Sequence, residues 1–191
     1  MTHLALFCSG SGSNAERIMT YCADQPDLAV ALLAANRADA YALTRAERFG
    51  VPTLVFDRKT FYETDEVLTA LTAYGVDLVV LAGFLWRVPA ELLRAFPDRV
   101  VNIHPALLPR HGGKGMWGMH VHHAVRAAGD GETGITIHLA NERYDEGRTL
   151  FQARCPVRTG DTPEDIQRRV QGLEHEHFAA VVARYARSLG T

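Results

Sequence analysis

The segment from Arg99 to Pro105 places an amide and an imidazole two residues apart at the end of an apolar run, Arg-Val-Val-Asn-Ile-His-Pro. In a β-strand, side chains two residues apart point to the same face, so Asn102 and His104 would share one face of a strand that Pro105 ends. A neutral N–H donor beside a group that titrates near pH 7 suits a reaction in which a carbonyl oxygen gains negative charge. The same pair also occurs at ordinary strand ends, because Asn and His both tolerate turn conformations.

A second polar segment, Cys8–Asn14, follows the first apolar run and reads Cys-Ser-Gly-Ser-Gly-Ser-Asn. A glycine-rich turn between a strand and a helix exposes N–H groups at the positive end of the helix dipole, where anions bind. No Gly-Lys-Ser or Gly-Lys-Thr follows, and the dinucleotide pattern is matched only with Ala15 at its third position, which tolerates Ala. The segment therefore predicts a site for the phosphate group of a small substrate, with a serine-rich turn that binds no ligand as the alternative.

An acidic loop, Glu142–Gly147, lies between two late apolar runs. Such loops are commonly solvated, but an Asp just before a glycine turn can point back into a cleft. A carboxylate near a histidine raises the pKa of the imidazole and fixes the orientation of the ring. Asp145 is therefore the candidate partner of His104, and we expect it to keep His104 protonated at neutral pH.

Charge, cysteines and histidine spacing argue against several other classes of function. A net charge of −2 offers no bulk attraction for nucleic acid or for an acidic membrane surface. No apolar run approaches the roughly 20 residues of a membrane span. The three cysteines lack Cys-x-x-Cys spacing, which fits free thiols in a reducing, cytoplasmic compartment. No metal site is predicted, because no acidic partner has ligand spacing to the clustered histidines. These are His104, His111, His120, His122, His123 and His138.

Short apolar runs alternate with amphipathic ones through the first half of the chain. Strands are predicted at Leu4–Cys8, Leu28–Ala34, Pro52–Phe56, Val76–Leu81 and Val100–Ile103. Helices are predicted near Asn14–Cys22, Ala38–Phe49 and Thr60–Tyr74, with a short one at Pro89–Phe96. Strands that alternate with helices imply a parallel sheet with helices on both faces, which is a Rossmann-like, three-layer α/β/α domain.

The second half is less regular, and it begins with a glycine-rich loop at His111–Gly118. The pattern then predicts a helix at Met119–Ala128 and strands at Gly134–Ala140 and Thr149–Val157, at least one of them antiparallel. This brings the sheet to about seven strands. Asp161-Thr162-Pro163-Glu164 is typical of a helix start, and the helix should run to about Ser188. No linker or repeat divides the chain, so residues 1–191 are predicted to form a single domain.

Four motifs in order resemble the phosphoribosylglycinamide formyltransferases, folate-dependent enzymes of purine synthesis. The motifs are Ser9–Asn14, Val80–Phe84, Asn102–Pro109 and Asp145-x-Gly147. The similarity runs from Leu4 to about Phe178, and its specificity for the glycinamide substrate rests on Gly10–Asn14 and on Gln171-x-x-Glu174-His175. The resemblance implies formyl transfer from 10-formyltetrahydrofolate, a co-substrate, to the amine of glycinamide ribonucleotide, without a metal.

The resemblance also implies a role for each matching residue. Catalysis is assigned to Asn102, His104 and Asp145, the substrate phosphate to Gly12, Ser13 and Asn14, and the glycinamide end to Glu174. Folate contacts are assigned to Lys59, Leu85, Trp86, Arg87, Val88, Ala140 and Asn141. Residues 1–105 would form a nucleotide-binding-like half, and 106–191 a folate and catalytic half. The implied partners are small molecules, with neither nucleic acid nor membrane, and a homodimer is left open.

Two departures and several alternatives accompany this resemblance. The loop Gly112–Met119 is longer than in the best-known bacterial form, and Arg148 stands where a proline often follows the Asp-x-Gly turn. Methionyl-tRNA formyltransferase and formyltetrahydrofolate hydrolase share the Asn-x-His and Asp set but carry further domains, for which 191 residues leave no room. A short form of the sugar-nucleotide formyltransferases stays open as an alternative. A non-catalytic nucleotide-binding module is the alternative from another class. Asn36-Arg37, in place of the expected acidic residue, argues against NAD.

Overall fold

A computed structural model describes residues 1–190, and its centre is one seven-stranded sheet. The strands are β1 (Thr2–Cys8), β2 (Leu28–Ala35), β3 (Thr53–Val55), β4 (Leu78–Leu81), β5 (Val100–His104), β6 (Glu132–Leu139) and β7 (Thr149–Pro156). Their order across the sheet is β3-β2-β1-β4-β5-β6-β7. Pairing is parallel from β3 to β5, whereas β6 runs antiparallel to both of its neighbours. The predicted mixed sheet with a late antiparallel strand is confirmed.

Seven helices cover the two faces of the sheet within the described residues. They are α1 (Ser13–Ala23), α2 (Tyr41–Arg48), α3 (Arg58–Glu63), α4 (Glu66–Ala73), α5 (Ala90–Ala95), α6 (Met119–Ala128) and α7 (Pro163–Ser188). Apolar residues of α1, α2, α6 and α7 pack in one buried cluster, and those of α3, α4 and α5 pack in another on the opposite face. The predicted three-layer α/β/α architecture is therefore confirmed. Within residues 1–190, no helix is long and apolar enough to cross a membrane.

The predicted helix Thr60–Tyr74 is wrong as a single element, because α3 and α4 are separate helices. Asp57 begins α3 by accepting a hydrogen bond from the Thr60 N–H at 2.8 Å. Thr64 ends it in an extended conformation, with φ −134° and ψ 166°. The Thr64 hydroxyl donates to the Thr60 carbonyl at 2.9 Å, which satisfies a carbonyl at the helix end. Threonine competes with the helical backbone in this way, and apolar periodicity alone does not reveal it.

The 26-residue helix α7 begins at the predicted place and forms one wall of the cleft described below. Thr162 and Asp165 form a reciprocal capping box, since the Thr162 hydroxyl accepts from the Asp165 N–H at 3.2 Å and the Asp165 carboxylate accepts from the Thr162 N–H at 3.0 Å. Pro163 occupies the first helical turn, where its missing N–H costs nothing. Local sequence therefore fixes where this helix starts, and its apolar side packs against α1, α6 and the sheet.

Candidate active site

A cavity of ≈ 640 Å³ opens at the carboxyl ends of β1, β4 and β5. Because β4 pairs with β1 on the side opposite β2, the chain direction across the sheet reverses here, which is where open α/β sheets bind ligands. All of the predicted site residues except Lys59 line this cavity. They are Gly12, Ser13, Asn14, Leu85, Trp86, Arg87, Val88, Asn102, His104, Ala140, Asn141, Asp145 and Glu174.

The glycine-rich turn after β1 is held rigidly against α2. Gly12 has a φ of 71°, and a Cβ atom there would lie 2.5 Å from the Cβ of Ala42, so no larger residue fits. The Ala42 N–H donates to the Gly10 carbonyl at 3.1 Å. Arg45 donates from Nε to the Ser11 carbonyl at 2.9 Å and pairs with Glu16. The turn thus leads directly into α1, whose first N–H groups have no partners within the helix.

Asn14 connects this turn to α7. Its side chain is buried, and its Nδ2 donates to Glu174 Oε2 at 2.8 Å. Burial raises the pKa of Glu174, and the hydrogen bond from Asn14 opposes that rise. The Oδ1 atom of Asn14 is buried and has no hydrogen-bond partner among residues 1–190. Glu174 therefore lies beside the glycine-rich turn, and its predicted contact with the glycinamide end stays a prediction.

The Asn102 and His104 side chains extend from β5 on the same face, and Asp145 approaches them from the loop after β6. His104 is 3% exposed, and its Nε2 donates to the carbonyl of His111 at 2.8 Å. Its Nδ1 faces Asp145 Oδ2 at 3.6 Å. The Gly113 N–H donates to the same Asp145 oxygen at 2.9 Å. The structure thus brings the three predicted catalytic residues together at one place in the cleft.

A second buried imidazole, His138, completes this group and was missed as a site residue by sequence reasoning, which considered it only for metal binding. The antiparallel register pairs His138 with Asn102, and Asn102 Nδ2 lies 3.1 Å from His138 Nε2. Because His138 Nδ1 donates to the Leu139 carbonyl at 2.9 Å, its Nε2 is left to accept from the amide. His138 Nε2 also lies 3.6 Å from Asp145 Oδ1.

Burial dominates the protonation of His104. It lowers the pKa of His104 below the ordinary 6.5, and the Asp145 carboxylate and the His111 carbonyl offset only part of that decrease. The expectation that Asp145 keeps His104 protonated at neutral pH is therefore corrected. Burial also opposes the charge of Asp145, but the neighbouring His138 and His104 rings and the Gly113 N–H outweigh it, and the pKa of Asp145 is lowered. The pair is thus poised as a carboxylate beside a neutral imidazole.

His122, on α6, also contributes to the cleft and was not singled out from the sequence as a site residue. It is 3% exposed, and its pKa is lowered to about 4, mainly by burial and also by His104 and His123. Its Nδ1 has no hydrogen-bond partner among the described residues. His122 therefore presents a neutral imidazole near His104. No group of three or more His, Cys, Asp or Glu within residues 1–190 is arranged to hold a metal ion.

The segment after β4 forms the apolar end of the cleft. Leu85 is anchored there by its N–H, which donates to the Ser9 hydroxyl at 2.9 Å. Trp86 is covered by Arg58, whose guanidinium carbon lies 4.9 Å from the ring centroid. The exposed Lys59 does not line the cavity, so its predicted folate contact gains no support. The adjacent Arg58, although it contacts Trp86, does not line the cavity either.

The burial of His104 predicts that its imidazole titrates below the ordinary histidine pKa. We expect its resonances in a ¹⁵N-histidine NMR titration to report a pKa below 6.5, because burial outweighs Asp145. Since Asp145 raises the pKa of His104, the substitution Asp145→Asn should lower that pKa further. Glu146→Gln, in the exposed residue next to it, is the control and should leave the titration unchanged. A wild-type His104 that titrates above 6.5 would contradict this description of the site.

Comparison with known proteins identifies the family. A sequence profile of the formyl transferase family matches residues 2–182. The chain is 44% identical over 185 residues to a protein of Arabidopsis thaliana named chloroplastic phosphoribosylglycinamide formyltransferase, a match that covers 94% of this chain and 63% of the relative. The chain thus spans less than two thirds of that relative's length. It is also 33% identical over 190 residues to phosphoribosylglycinamide formyltransferase of Escherichia coli, with 96% and 87% of the two chains covered.

Solved structures agree with this result. The crystal structure of glycinamide ribonucleotide transformylase 1 from Symbiobacterium toebii superposes with a TM-score of 0.90 at 36% identity, and the match covers 98% of this chain and 89% of that one. The corresponding protein of Streptococcus pneumoniae superposes with a TM-score of 0.84 at 32% identity, with both chains fully covered. Sequence profile, relatives and fold agree, and the chain belongs to the formyl transferase family.

Proposed function

We propose that this protein transfers a formyl group from 10-formyltetrahydrofolate to the amine of glycinamide ribonucleotide, a step of purine biosynthesis. The observation that carries the proposal is that Asn102, His104 and Asp145 meet in one cleft whose other end is a glycine-rich anion turn. The names of the relatives agree with it. Such a cleft holds a phosphorylated amine and a folate side by side, and juxtaposing two bound substrates supplies much of the rate enhancement in a transfer of this kind.

Asn102 is proposed to stabilise the charge that develops on the formyl oxygen. When the amine nitrogen bonds to the formyl carbon, the carbonyl electron pair moves onto the oxygen and forms a tetrahedral oxyanion. One Asn102 amide hydrogen is directed to His138 Nε2 at 3.1 Å, which leaves the second hydrogen of the NH₂ group to donate to the oxyanion. A fixed donor in a buried site stabilises such charge without reorganisation.

Asp145 and His104 are proposed to move the one proton that the reaction must transfer. The attacking amine loses a proton, and the folate nitrogen gains one when its bond to the formyl carbon breaks. Asp145 is ionised because its pKa is lowered, so it accepts the proton. His104 can receive that proton only at Nδ1, because Nε2 is already protonated and donates its hydrogen bond to the His111 carbonyl. The resulting imidazolium then protonates the leaving nitrogen.

A covalent route through a cysteine is not supported, because none of the buried cysteines Cys8, Cys22 and Cys155 lines the cavity. Cys8 is the cysteine that lies nearest in sequence to the glycine-rich turn, and burial raises its pKa to about 12. A thiol that does not ionise is a poor nucleophile. The residues that line the cleft are therefore sufficient for direct attack by the substrate amine.

The finer aspects of the sequence prediction remain proposals. They are small-molecule partners only, a cytoplasmic location, a homodimer, and folate contacts by the cleft segments Leu85–Val88 and Ala140–Asn141. Formyl transfer to a different phosphorylated amine is the second candidate function, and the same catalytic residues would serve it. A non-catalytic nucleotide-binding module would not require a buried carboxylate between two imidazoles, so this arrangement favours an enzyme.

An absorbance assay of folate product formation tests the proposed function. With purified protein and 10-formyltetrahydrofolate, we expect turnover that depends on glycinamide ribonucleotide. A parallel reaction without acceptor measures hydrolysis, and one with glycinamide lacking the ribose phosphate tests the need for the phosphate. Turnover only with another amine would replace the substrate and keep the mechanism. No turnover with any amine, together with tight NAD binding by calorimetry, would refute formyl transfer.

Asn14→Ala should weaken the binding of the substrate phosphate at the glycine-rich turn. It removes one polar contact at the phosphate site and the link to Glu174, and a hydrogen bond to a charged group contributes about 1.5–3 kcal/mol. We expect the KM for glycinamide ribonucleotide to rise about 10- to 100-fold, with kcat and the KM for the folate near wild type. Thr20→Ala, on the exposed side of α1, is the matched control. An unchanged KM would remove Asn14 from the phosphate site.

A further inference from the structure

The segment His111–Gly113, which begins the glycine-rich loop beside the cleft, contacts both partners of the proposed proton transfer. The His111 carbonyl accepts from His104 Nε2 at 2.8 Å, and the Gly113 N–H donates to Asp145 Oδ2 at 2.9 Å. One backbone segment therefore holds the imidazole on one side and the carboxylate on the other. The 3.6 Å separation between His104 Nδ1 and Asp145 Oδ2 depends on where this segment lies.

The backbone of the segment is not in a conformation that it would adopt by itself. His111 has a φ of 54°, in the left-handed region that non-glycine residues rarely adopt because it brings Cβ close to the following carbonyl oxygen. Gly112 is closely packed, since a Cβ atom there would lie 2.5 Å from Leu108 Cδ2 and 3.3 Å from Asp145 Cβ, and the Leu108 side chain would have to move to admit it. Conformations of this kind persist only where surrounding contacts hold them.

Asp130, which follows the C-cap glycine of α6, supplies such a contact. Its side chain is 8% exposed, and its Oδ2 accepts from His111 Nε2 at 2.6 Å. Its other oxygen pairs with Arg110, so the carboxylate binds both the first residue of the segment and the residue before it. Asp130 lies outside the cleft lining, so it contacts no group of the proposed reaction directly.

We propose that Asp130 and His111 are positioning residues: their hydrogen bond holds the segment His111–Gly113 in place, and the segment sets the orientation of His104 and its distance from Asp145. His111 acts through its side chain on Asp130 and through its carbonyl on His104. Because the carbonyl can only accept a hydrogen bond, Nε2 must carry the hydrogen, and the contact therefore also fixes the tautomer that leaves Nδ1 facing Asp145. The expected kinetic effect rests on the proposed formyl transfer, whereas the expected tautomer of His104 does not depend on it.

Two variants test the pair by kinetics. Asp130→Asn removes the carboxylate, and His111→Asn shortens the side chain while keeping a residue that tolerates positive φ. Because misplacement of reacting groups by about 1 Å can cost 10²-fold, we expect each to lower kcat about 10- to 100-fold, with both KM values within about twofold. Asp161→Asn is the control, since it breaks the ion pair of a comparably buried carboxylate with Arg169, away from the cleft. It should leave kcat unchanged.

An NMR measurement tests the same inference without substrate. Long-range ¹H–¹⁵N spectra of histidine-labelled protein should show His104 as the Nε2–H tautomer in the wild type and in Asp161→Asn. In His111→Asn and Asp130→Asn, we expect a mixture of tautomers and faster exchange of that proton. An unchanged His104 tautomer, or wild-type kcat in a folded variant, would overturn the inference. A wild-type protein without turnover would refute the proposed function instead, and the spectra would still decide the role of the pair.

Discussion

The site depends on one buried carboxylate, Asp145, held between the imidazoles of His104 and His138. Its side chain is 10% exposed, and a carboxylate in that position is costly unless its oxygens are hydrogen-bonded or face positive charge. Here the Gly113 N–H donates to Oδ2 at 2.9 Å, and ring nitrogens of His104 and His138 each lie 3.6 Å from a carboxylate oxygen. Together these neighbours lower the pKa of Asp145 against the effect of burial. His104 is itself buried, and that burial lowers its pKa more than the Asp145 carboxylate raises it. The result is an ionised proton acceptor, Asp145, beside a neutral proton carrier, His104, which suits the proton transfer that accompanies formyl transfer.

The sheet topology explains why these groups meet. The parallel strands β1, β4 and β5 end at one edge, so the glycine-rich turn, the segment after β4 and the Asn102-x-His104 motif open into the same cleft. The switch to antiparallel pairing at β6 then places His138 directly opposite Asn102. The mixed sheet is therefore part of the chemistry as well as of the fold.

Much of this arrangement follows from local sequence. The shared face of Asn102 and His104 follows from the two-residue period of a strand, and the start of α7 follows from its capping box. What the sequence could not supply depends on contacts between distant residues. The partnership of Asn102 with His138 is a matter of strand register. The approach of Asp145 requires a positive φ of 57° and the Gly113 N–H, neither of which is readable from residue type. The protonation of His104 was misjudged because burial, a tertiary property, outweighs the nearby carboxylate.

The central claim is that the Asp145 carboxylate accepts the proton released in the transfer. The most direct test is the single-turnover rate of Asp145→Asn with both substrates saturating, measured beside their dissociation constants. The amide is nearly isosteric with the carboxylate but cannot accept a proton in the same way. Loss of such a general base should slow the chemical step about 100- to 10,000-fold, with both dissociation constants close to wild type. A rate within threefold of wild type in folded, substrate-binding protein would contradict the account.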